Sequence, residues 1–179
     1  MKRWLYVFLA LLLTACAAPN PGSLAPGPEY PDLGAAPELA GDTWINSSGP
    51  LRLASLRGKV VLLDMWTLDC INCRNVIPYL RTWHQTYAAS GLVVIGNHFP
   101  EFSYERDLSN LKKAVVDLNV PYAVVQDNDG ANWQAYKNTY WPTLYLIDKK
   151  GRIRYKTIGE GNYVETETAI QALLNEAAD

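Results

Sequence analysis

The chain has 179 residues, and 16 lysines and arginines nearly balance 18 aspartates and glutamates, for a formal net charge of −2. This balance excludes a nucleic-acid-binding role, which requires a basic surface. The N-terminal segments described next leave about 140 residues, enough for one globular domain with a hydrophobic core of its own.

Residues 1–15 have the pattern of a secretory signal peptide: two basic residues precede an apolar stretch that ends at Leu13. This stretch is short for a transmembrane span. Leu13 to Cys16 is similar to the lipobox of bacterial lipoproteins, which implies cleavage before Cys16 and attachment of lipid to it. The alternative is an uncleaved anchor with an incidental cysteine. Either way we expect an exported protein, held on a bacterial membrane and facing the periplasm or the cell exterior.

The chain after the signal divides into a tether and a domain. Residues 16–38 comprise the lipidated cysteine and a segment rich in proline, glycine and alanine, a composition typical of a semi-extended tether. Residues 39–179 form the folded domain.

Apolar patterning predicts strands that alternate with helices in this domain. Residues 44–53, interrupted by a turn, are predicted to form two short strands, an N-terminal β-hairpin extension. The predicted elements that follow are strand 60–65, a helix from about residue 70 to about residue 90, strand 92–96, helix 108–118, strand 122–126, helix 131–138, strands 144–148 and 153–158, and helix 164–176. This order predicts an α/β sandwich around a mixed sheet.

Cys70 and Cys73 lie one helical turn apart, directly after a predicted strand. Residues i and i+3 of a helix have Cα atoms about 5 to 6 Å apart, within reach of a disulfide. Once Cys16 is assigned to lipid, these two cysteines can pair only with each other. One bridge of such short span is too little for a structural scaffold. We therefore predict a redox-active Cys70-Cys73 disulfide.

The position of each cysteine predicts its role. At a helix N-terminus, the Cys70 sulfur faces unpaired N–H groups and the positive end of the helix dipole, which stabilise a thiolate. Cys73 lies one turn inside, so we expect Cys70 to attack a partner and Cys73 to resolve the mixed disulfide. Asp64, inside an apolar strand, is predicted to exchange a proton with Cys73. The alternative is a carboxylate satisfied by backbone donors. Pro142 is expected at the start of a strand.

Other polar motifs are less specific. A zinc site built on this CxxC would need a second CxxC, which the chain lacks, or nitrogen ligands, which only His84 and His98 could supply, so we predict neither a metal nor a cofactor. His98 and Glu101 follow a central strand, where ligands of open α/β sheets bind, and either line the site or are ordinary loop residues. Residues 127–130 resemble the opening of a calcium loop but lack its closing glutamate, so a turn is predicted.

From about Gly41 to the end, the chain resembles membrane-anchored thioredoxin-fold proteins of the TlpA type, in the redoxin or AhpC/TSA superfamily. The matching residues are Asp64-Met65-Trp66, Cys70 to Cys73, Pro78, Trp141-Pro142-Thr143 and Gly151. The chain is especially similar to the DipZ-like branch through Trp66-Thr67, Cys-Ile-Asn-Cys, His98-Phe99-Pro100-Glu101-Phe102, Asp127-Asn128-Asp129, Tyr140-Trp141-Pro142 and Gly159-Glu160-Gly161.

This resemblance implies a thioredoxin fold, a three-layer α/β/α sandwich with an insertion between the second strand-helix unit and the strand after a cis proline. It implies a thiol-disulfide oxidoreductase. The residues with implied roles are the nucleophile Cys70, the resolving Cys73, the proton carrier Asp64, cis Pro142, and Trp66, Trp141 and Thr143 in substrate docking. Two departures leave the redox direction open: Ile-Asn stands between the cysteines, and Asp69 replaces the usual tryptophan before Cys70.

We therefore expect an extracytoplasmic exchanger of disulfides with exported proteins, acting as a reductant and as a monomer. Its electron donor is expected to be a membrane thiol protein of the CcdA/DsbD type, and the lipid anchor its membrane contact. Two alternatives remain open. A thiol peroxidase of the peroxiredoxin kind is suggested by Thr67, three residues before Cys70, and a copper-binding metallochaperone would use Cys70, Cys73 and His98.

Overall fold

A computed structural model describes residues 28–177 of the chain. The predicted signal peptide, Cys16 and the first part of the tether lie outside the described residues. Within residues 28–177, no helix has the length and apolar composition needed to cross a membrane. The elements are β1 (Trp44–Ile45), β2 (Val60–Trp66), α1 (Ile71–Tyr87), β3 (Leu92–His98), α2 (Leu108–Asp117), β4 (Ala123–Gln126), α3 (Ala131–Ala135), β5 (Thr143–Ile147), β6 (Ile153–Ile158) and α4 (Tyr163–Asn175).

The six strands form one mixed sheet in the order β1-β4-β3-β2-β5-β6. Strands β2, β3 and β4 are parallel, β5 is antiparallel to β2, and β1 and β6 are antiparallel to their single neighbours. Every residue of β2 is buried, as expected for a continuous apolar strand covered on both faces. The predicted mixed sheet is confirmed, and β4 with α3 forms the predicted insertion before β5.

The two faces of the sheet are covered unequally. Helices α1, α2 and α4 pack on one face over a core that includes Leu62, Val94 and Leu146. The other face, with Leu63 and Ile95, is covered by the region of α3 and by the chain before β2. The third layer of the predicted sandwich is therefore formed mainly by irregular chain.

The predicted N-terminal β-hairpin is wrong. Of residues 44–53, only β1 is a strand, and it pairs with β4 at the edge of the sheet. Asn46 then takes a left-handed conformation (φ 56°), and its side-chain amide donates to the carbonyl of Val120 at 2.7 Å. This turn directs the chain off the sheet, and Leu53 starts a 3₁₀ turn with its side chain buried.

The folded domain begins before residue 39, the boundary expected from the sequence. The main-chain N–H groups of Leu33 and Ala36 donate to the carbonyls of Ile153 and Gly151, at 2.8 and 3.0 Å. The chain therefore already follows the β5-β6 hairpin over these residues, and the end of the predicted tether belongs to the domain.

The remaining predicted elements are confirmed, with shifts at their ends. The predicted strand 92–96 continues to His98, and the predicted helix 131–138 ends at Ala135. The turn predicted at residues 127–130 is present, with the Gly130 N–H donating to the Asp127 carbonyl at 3.0 Å. Because β3 continues to His98, this polar residue lies at the C-terminal end of the parallel strands, the same end of the sheet that precedes Cys70.

Gly96 in β3 makes room for the ring of Trp66. A Cβ atom at position 96 would lie 2.9 Å from Trp66 Nε1 and 3.3 Å from a Val124 methyl group. Because these side chains are packed in the core, Gly96→Ala should lower the free energy of unfolding by about 1–3 kcal/mol. Urea denaturation measures this. Gly49→Ala is the control, since an added Cβ there meets nothing within 4 Å; equal losses in both variants would contradict the packing argument.

Candidate active site

Cys70 is the N-cap residue of helix α1, as the sequence predicts. Its backbone is extended, and its sulfur accepts a hydrogen bond from the main-chain N–H of Cys73, with an N–Sγ distance of 3.3 Å. Negative charge is favoured at this position by the free N–H groups of the first turn and by the helix dipole. The residue is partly exposed, and both cysteines are free thiols. A partner can therefore reach the Cys70 sulfur.

Cys73 lies one turn inside α1 and is fully buried. Burial raises the pKa of its thiol, and the charge of Asp64 and the hydrogen bond with Cys70 raise it further. The main-chain N–H of Thr67 acts on this pKa in the opposite direction. The two thiols thus differ in their exposure to a partner and in the groups that surround them.

Asp64 is a buried carboxyl group on the face of β2 that packs against α1. It is 1% exposed, and neither of its oxygens has a hydrogen-bond partner among the described residues. Burial raises its pKa to about 8. This contradicts the alternative of a carboxylate satisfied by backbone donors. A carboxyl group with this pKa is mostly protonated at neutral pH, but its ionised form is a stronger base than an ordinary carboxylate. Because it is close enough to affect the pKa of Cys73, that ionised form can accept the thiol proton.

The Trp141-Pro142 peptide bond is cis, as the family resemblance implies. The first residue of β5 pairs with Met65 near the end of β2, and the carbonyl of Pro142 accepts a hydrogen bond from Gly159 N–H at 2.8 Å. Pro142 therefore lies at the same end of the strands as the loop that precedes Cys70.

The three residues assigned to substrate docking differ in their exposure to solvent. Trp66 and Thr143 are each 1% exposed, because their side chains point into the two packed faces of the sheet. Trp66 packs edge-on against His98, with ring centroids 5.3 Å apart. This corrects the expectation of docking through these two side chains. Trp141 is partly exposed and remains available to a partner.

Trp141 belongs to a stack of three rings that the sequence analysis missed. The Phe99 centroid lies 4.7 Å from that of Trp133 and 5.9 Å from that of Trp141, and the two tryptophans are 4.5 Å apart. The buried carboxylate of Asp127 supports the stack by accepting a hydrogen bond from the main-chain N–H of Trp133 at 2.9 Å. No sequence signal links these rings, since each comes from a different segment of the chain.

Glu105 is the second candidate that the sequence analysis missed. It is fully buried, and its Oε2 accepts the Thr67 hydroxyl at 2.8 Å and two main-chain N–H groups at 2.5 and 2.9 Å. Its Oε1 accepts the N–H of Asp69 at 3.2 Å. Glu105 lies in a polar stretch without periodicity, so nothing in the sequence marks it. The Thr67 hydroxyl, on which the peroxidase alternative depends, is therefore engaged by Glu105.

Asp69 has partners of its own. Its carboxylate forms an ion pair with Arg74 at 2.6 Å and accepts a hydrogen bond from the hydroxyl of Tyr104. That hydrogen bond raises the pKa of Tyr104 to about 12. Arg74 also donates from Nε to the carbonyl of Leu68 at 2.9 Å. The acid that precedes Cys70 is thus balanced by a neighbouring cation.

His98 and Glu101 do not line a common site. His98 ends β3 and is buried, and neither ring nitrogen has a hydrogen-bond partner among the described residues. Burial lowers its pKa to about 4. Glu101 is exposed. In the part of the chain that the structure describes, no three histidine, cysteine or acidic side chains come together to hold a metal ion. The copper site of Cys70, Cys73 and His98 is therefore not formed.

Comparison with known proteins identifies the family. The model of the AhpC/TSA family matches residues 32–156. Protein DipZ of Mycobacterium bovis is 48% identical over 147 residues, which are 80% of this chain and 21% of DipZ. The chain thus spans about a fifth of that relative. The thiol:disulfide interchange protein DsbE of Pseudomonas fluorescens is 31% identical, and the match covers 99% of each chain.

The fold comparison agrees with the observed sheet and helices. The crystal structure of a thioredoxin-like superfamily protein superposes with a TM-score of 0.76 and 29% identity, covering 82% of this chain and 99% of the other. The predicted thioredoxin fold is confirmed. The chain belongs to the AhpC/TSA family of thioredoxin-fold proteins, and its relatives include a thiol:disulfide interchange protein.

Proposed function

We propose that this protein reduces disulfides of exported proteins outside the cytoplasm. The proposal is carried by the pairing of two different thiols: Cys70, partly exposed at a helix N-terminus, and Cys73, which is buried. The charge of buried Asp64 raises the pKa of Cys73. Such a site separates attack on a large partner from resolution inside the protein.

The reaction proceeds in two exchanges. The Cys70 thiolate attacks a partner disulfide, forms a mixed disulfide and releases one partner thiolate. Cys73 then attacks the Cys70 sulfur and releases the second partner thiolate, while the proton of Cys73 passes to Asp64. The product is the Cys70-Cys73 disulfide, and the partner has gained two electrons.

A partner would dock on the apolar surface around Cys70. Ile71, inside the CxxC motif, is 66% exposed, and Tyr140 at the neighbouring edge of the sheet is 60% exposed. Trp141 follows Tyr140 and presents one edge of the three-ring stack. Exposed apolar side chains around a reactive sulfur suit contact with a protein substrate, since they lose water on binding.

The N-terminal sequence supports the proposed location, and the location suggests the class of electron donor. The signal-like residues 1–15 and the lipobox cysteine Cys16 support export and a lipid anchor, with the tether between membrane and domain. A thiol-disulfide exchanger in that place needs reducing equivalents from across the membrane. We propose a membrane thiol protein of the CcdA/DsbD type as the donor, with the monomer as the working unit.

Insulin reduction tests the proposal. The reduced protein, recycled by dithiothreitol, should accelerate precipitation of the insulin B chain, and protein alkylated with iodoacetamide should give only the dithiothreitol background. The reduction potential of the Cys70/Cys73 pair sets the direction: a value near about −270 mV supports a reductant, and one near about −120 mV contradicts it.

A further inference from the structure

A buried polar network fixes Trp133, the member of the three-ring stack that lies closest to both other rings. The Asp127 carboxylate accepts hydrogen bonds from the main-chain N–H of Trp133 at 2.9 Å and from the Asn97 amide at 3.1 Å. Asn132 donates its main-chain N–H to the same carboxylate at 3.1 Å and its side-chain amide to Asn97 at 2.7 Å. All three polar side chains are buried. Trp133 is therefore held to β3 by contacts outside the stack.

Phe99 is also fixed by contacts outside the stack. Its main-chain N–H donates to the carbonyl of Trp66, the last residue of β2, at 3.1 Å. Its ring lies against Gly130, where a Cβ atom would be 2.9 Å from Phe99 Cε2. The ring centroids of Phe99 and Trp133 are 4.7 Å apart. Because β2 and β3 hold this pair of rings, the pair has a defined position before any partner binds.

Trp141 depends on this pair for its orientation. Its indole Nε1 is buried and has no hydrogen-bond partner among the described residues. The Phe99 and Trp133 rings lie 5.9 and 4.5 Å away, so apolar contacts rather than hydrogen bonds orient the indole. Trp141 directly precedes cis Pro142, and the neighbouring Tyr140 is 60% exposed. The stack therefore determines which part of the Trp141 ring a partner meets.

We propose that Phe99 and Trp133 are positioning residues that give the site a preference for protein disulfides over small disulfides. They hold the Trp141 ring in the orientation that a docked polypeptide contacts. The ring is then already ordered when the partner arrives, which lowers the entropy cost of binding. A small disulfide needs only the Cys70 sulfur, whereas a protein disulfide also brings its flanking chain against Trp141. The inference rests on the proposed function and adds the class of substrate that the site favours.

Two substrates separate docking from chemistry. Initial rates over a range of insulin concentrations give KM and kcat for a protein substrate, and thionitrobenzoate release from Ellman's reagent gives the reactivity of Cys70 toward a small disulfide. Trp133→Leu removes the ring contacts of this residue. It should raise the KM for insulin about three- to tenfold, the effect of one lost aromatic pair, and change kcat and thionitrobenzoate release by less than about twofold. Trp133→Phe keeps a ring and should return the KM to within about twofold of the parent value.

A double variant tests whether Trp133 acts through Trp141. Trp141→Leu should itself raise the KM for insulin, and adding Trp133→Leu should raise it by less than about a further twofold, because the ring to be positioned is gone. Equal factors in both backgrounds would show that Trp133 acts independently and would overturn the inference. Tyr30→Leu is the control. It breaks another aromatic pair, with Tyr155 at 6.0 Å and beside Leu146 near the far end of β5, so both reactions should match the parent.

The outcomes distinguish this inference from the proposed function. If the parent protein reacted with Ellman's reagent but did not reduce insulin, the proposed function itself would be wrong. If the parent reduced insulin and Trp133→Leu kept the parent KM, the inference alone would fail. Parallel losses in both reactions would show that the stack supports the site as a whole, and would also overturn the inference. A KM effect confined to insulin, with recovery in Trp133→Phe, supports the positioning role.

Discussion

Replacement of Cys70 by serine should lower the rate of insulin reduction by at least about 1,000-fold, to the dithiothreitol background. A serine hydroxyl is not ionised at neutral pH, so the helix N-terminus has no thiolate to present. Cys73 cannot take over, because it is fully buried and its pKa is raised by burial. The turbidity assay measures this loss, and activity equal to that of the parent protein would overturn the assignment of the nucleophile.

Cys73→Ser should fail in a different way. Cys70 still attacks a disulfide, but no thiol is present to resolve the product, so the partner stays attached. Mass spectrometry after mixing with oxidised glutathione should detect one glutathione per protein in this variant and none in Cys70→Ser. A Cys73→Ser protein that turned over like the parent would mean that the partner's own thiols resolve the intermediate, and that Cys73 has no chemical role.

The placements that the sequence predicted correctly are those that depend on local chain geometry. The position of Cys70 at the helix N-terminus and of Cys73 one turn inside followed from their spacing and from the strand before them, and the burial of Asp64 followed from the apolar run around it. These features depend on strand and helix periodicity, which neighbouring residues determine.

The features that the sequence did not reveal depend on contacts between distant segments. Glu105 reaches Thr67 across 38 positions of sequence, and Phe99 meets Trp141 only after the sheet has formed. The false β-hairpin has the same origin: residues 44–53 have strand-like composition, but pairing with β4 and the turn at Asn46 leave no place for a second strand. Tertiary contacts override local preference at such places.

Asp64→Asn should stabilise the protein at alkaline pH and remove much of the dependence of its stability on pH. The folded protein raises the pKa of Asp64 from 3.8 to about 8 through burial, whereas the carboxyl group is solvated in the unfolded chain. Between about pH 4 and pH 8 the folded state therefore holds a proton that the unfolded state has released. The free energy of unfolding contributed by this group falls as pH rises through that window, by about 6 kcal/mol in total.

Another buried group changes stability over part of the same window. Burial lowers the pKa of His98 from 6.5 to about 4, so its contribution is lost as pH falls from about 6.5 to 4. This effect has the opposite sign to that of Asp64 and is present in both proteins. The difference between the parent and the Asp64→Asn variant at each pH therefore isolates the carboxyl group.

Urea unfolding of both proteins from pH 4 to pH 8.5 measures this difference. At pH 4 the parent carboxyl group is protonated when folded, and asparagine has nearly its shape, so the two free energies of unfolding should agree within about 1 kcal/mol. At pH 8.5 the variant should be more stable by several kcal/mol. Parallel curves would show that the pKa of Asp64 is not raised in the folded protein, and its carboxylate would then be too weak a base to take the proton of Cys73 in the proposed resolution step.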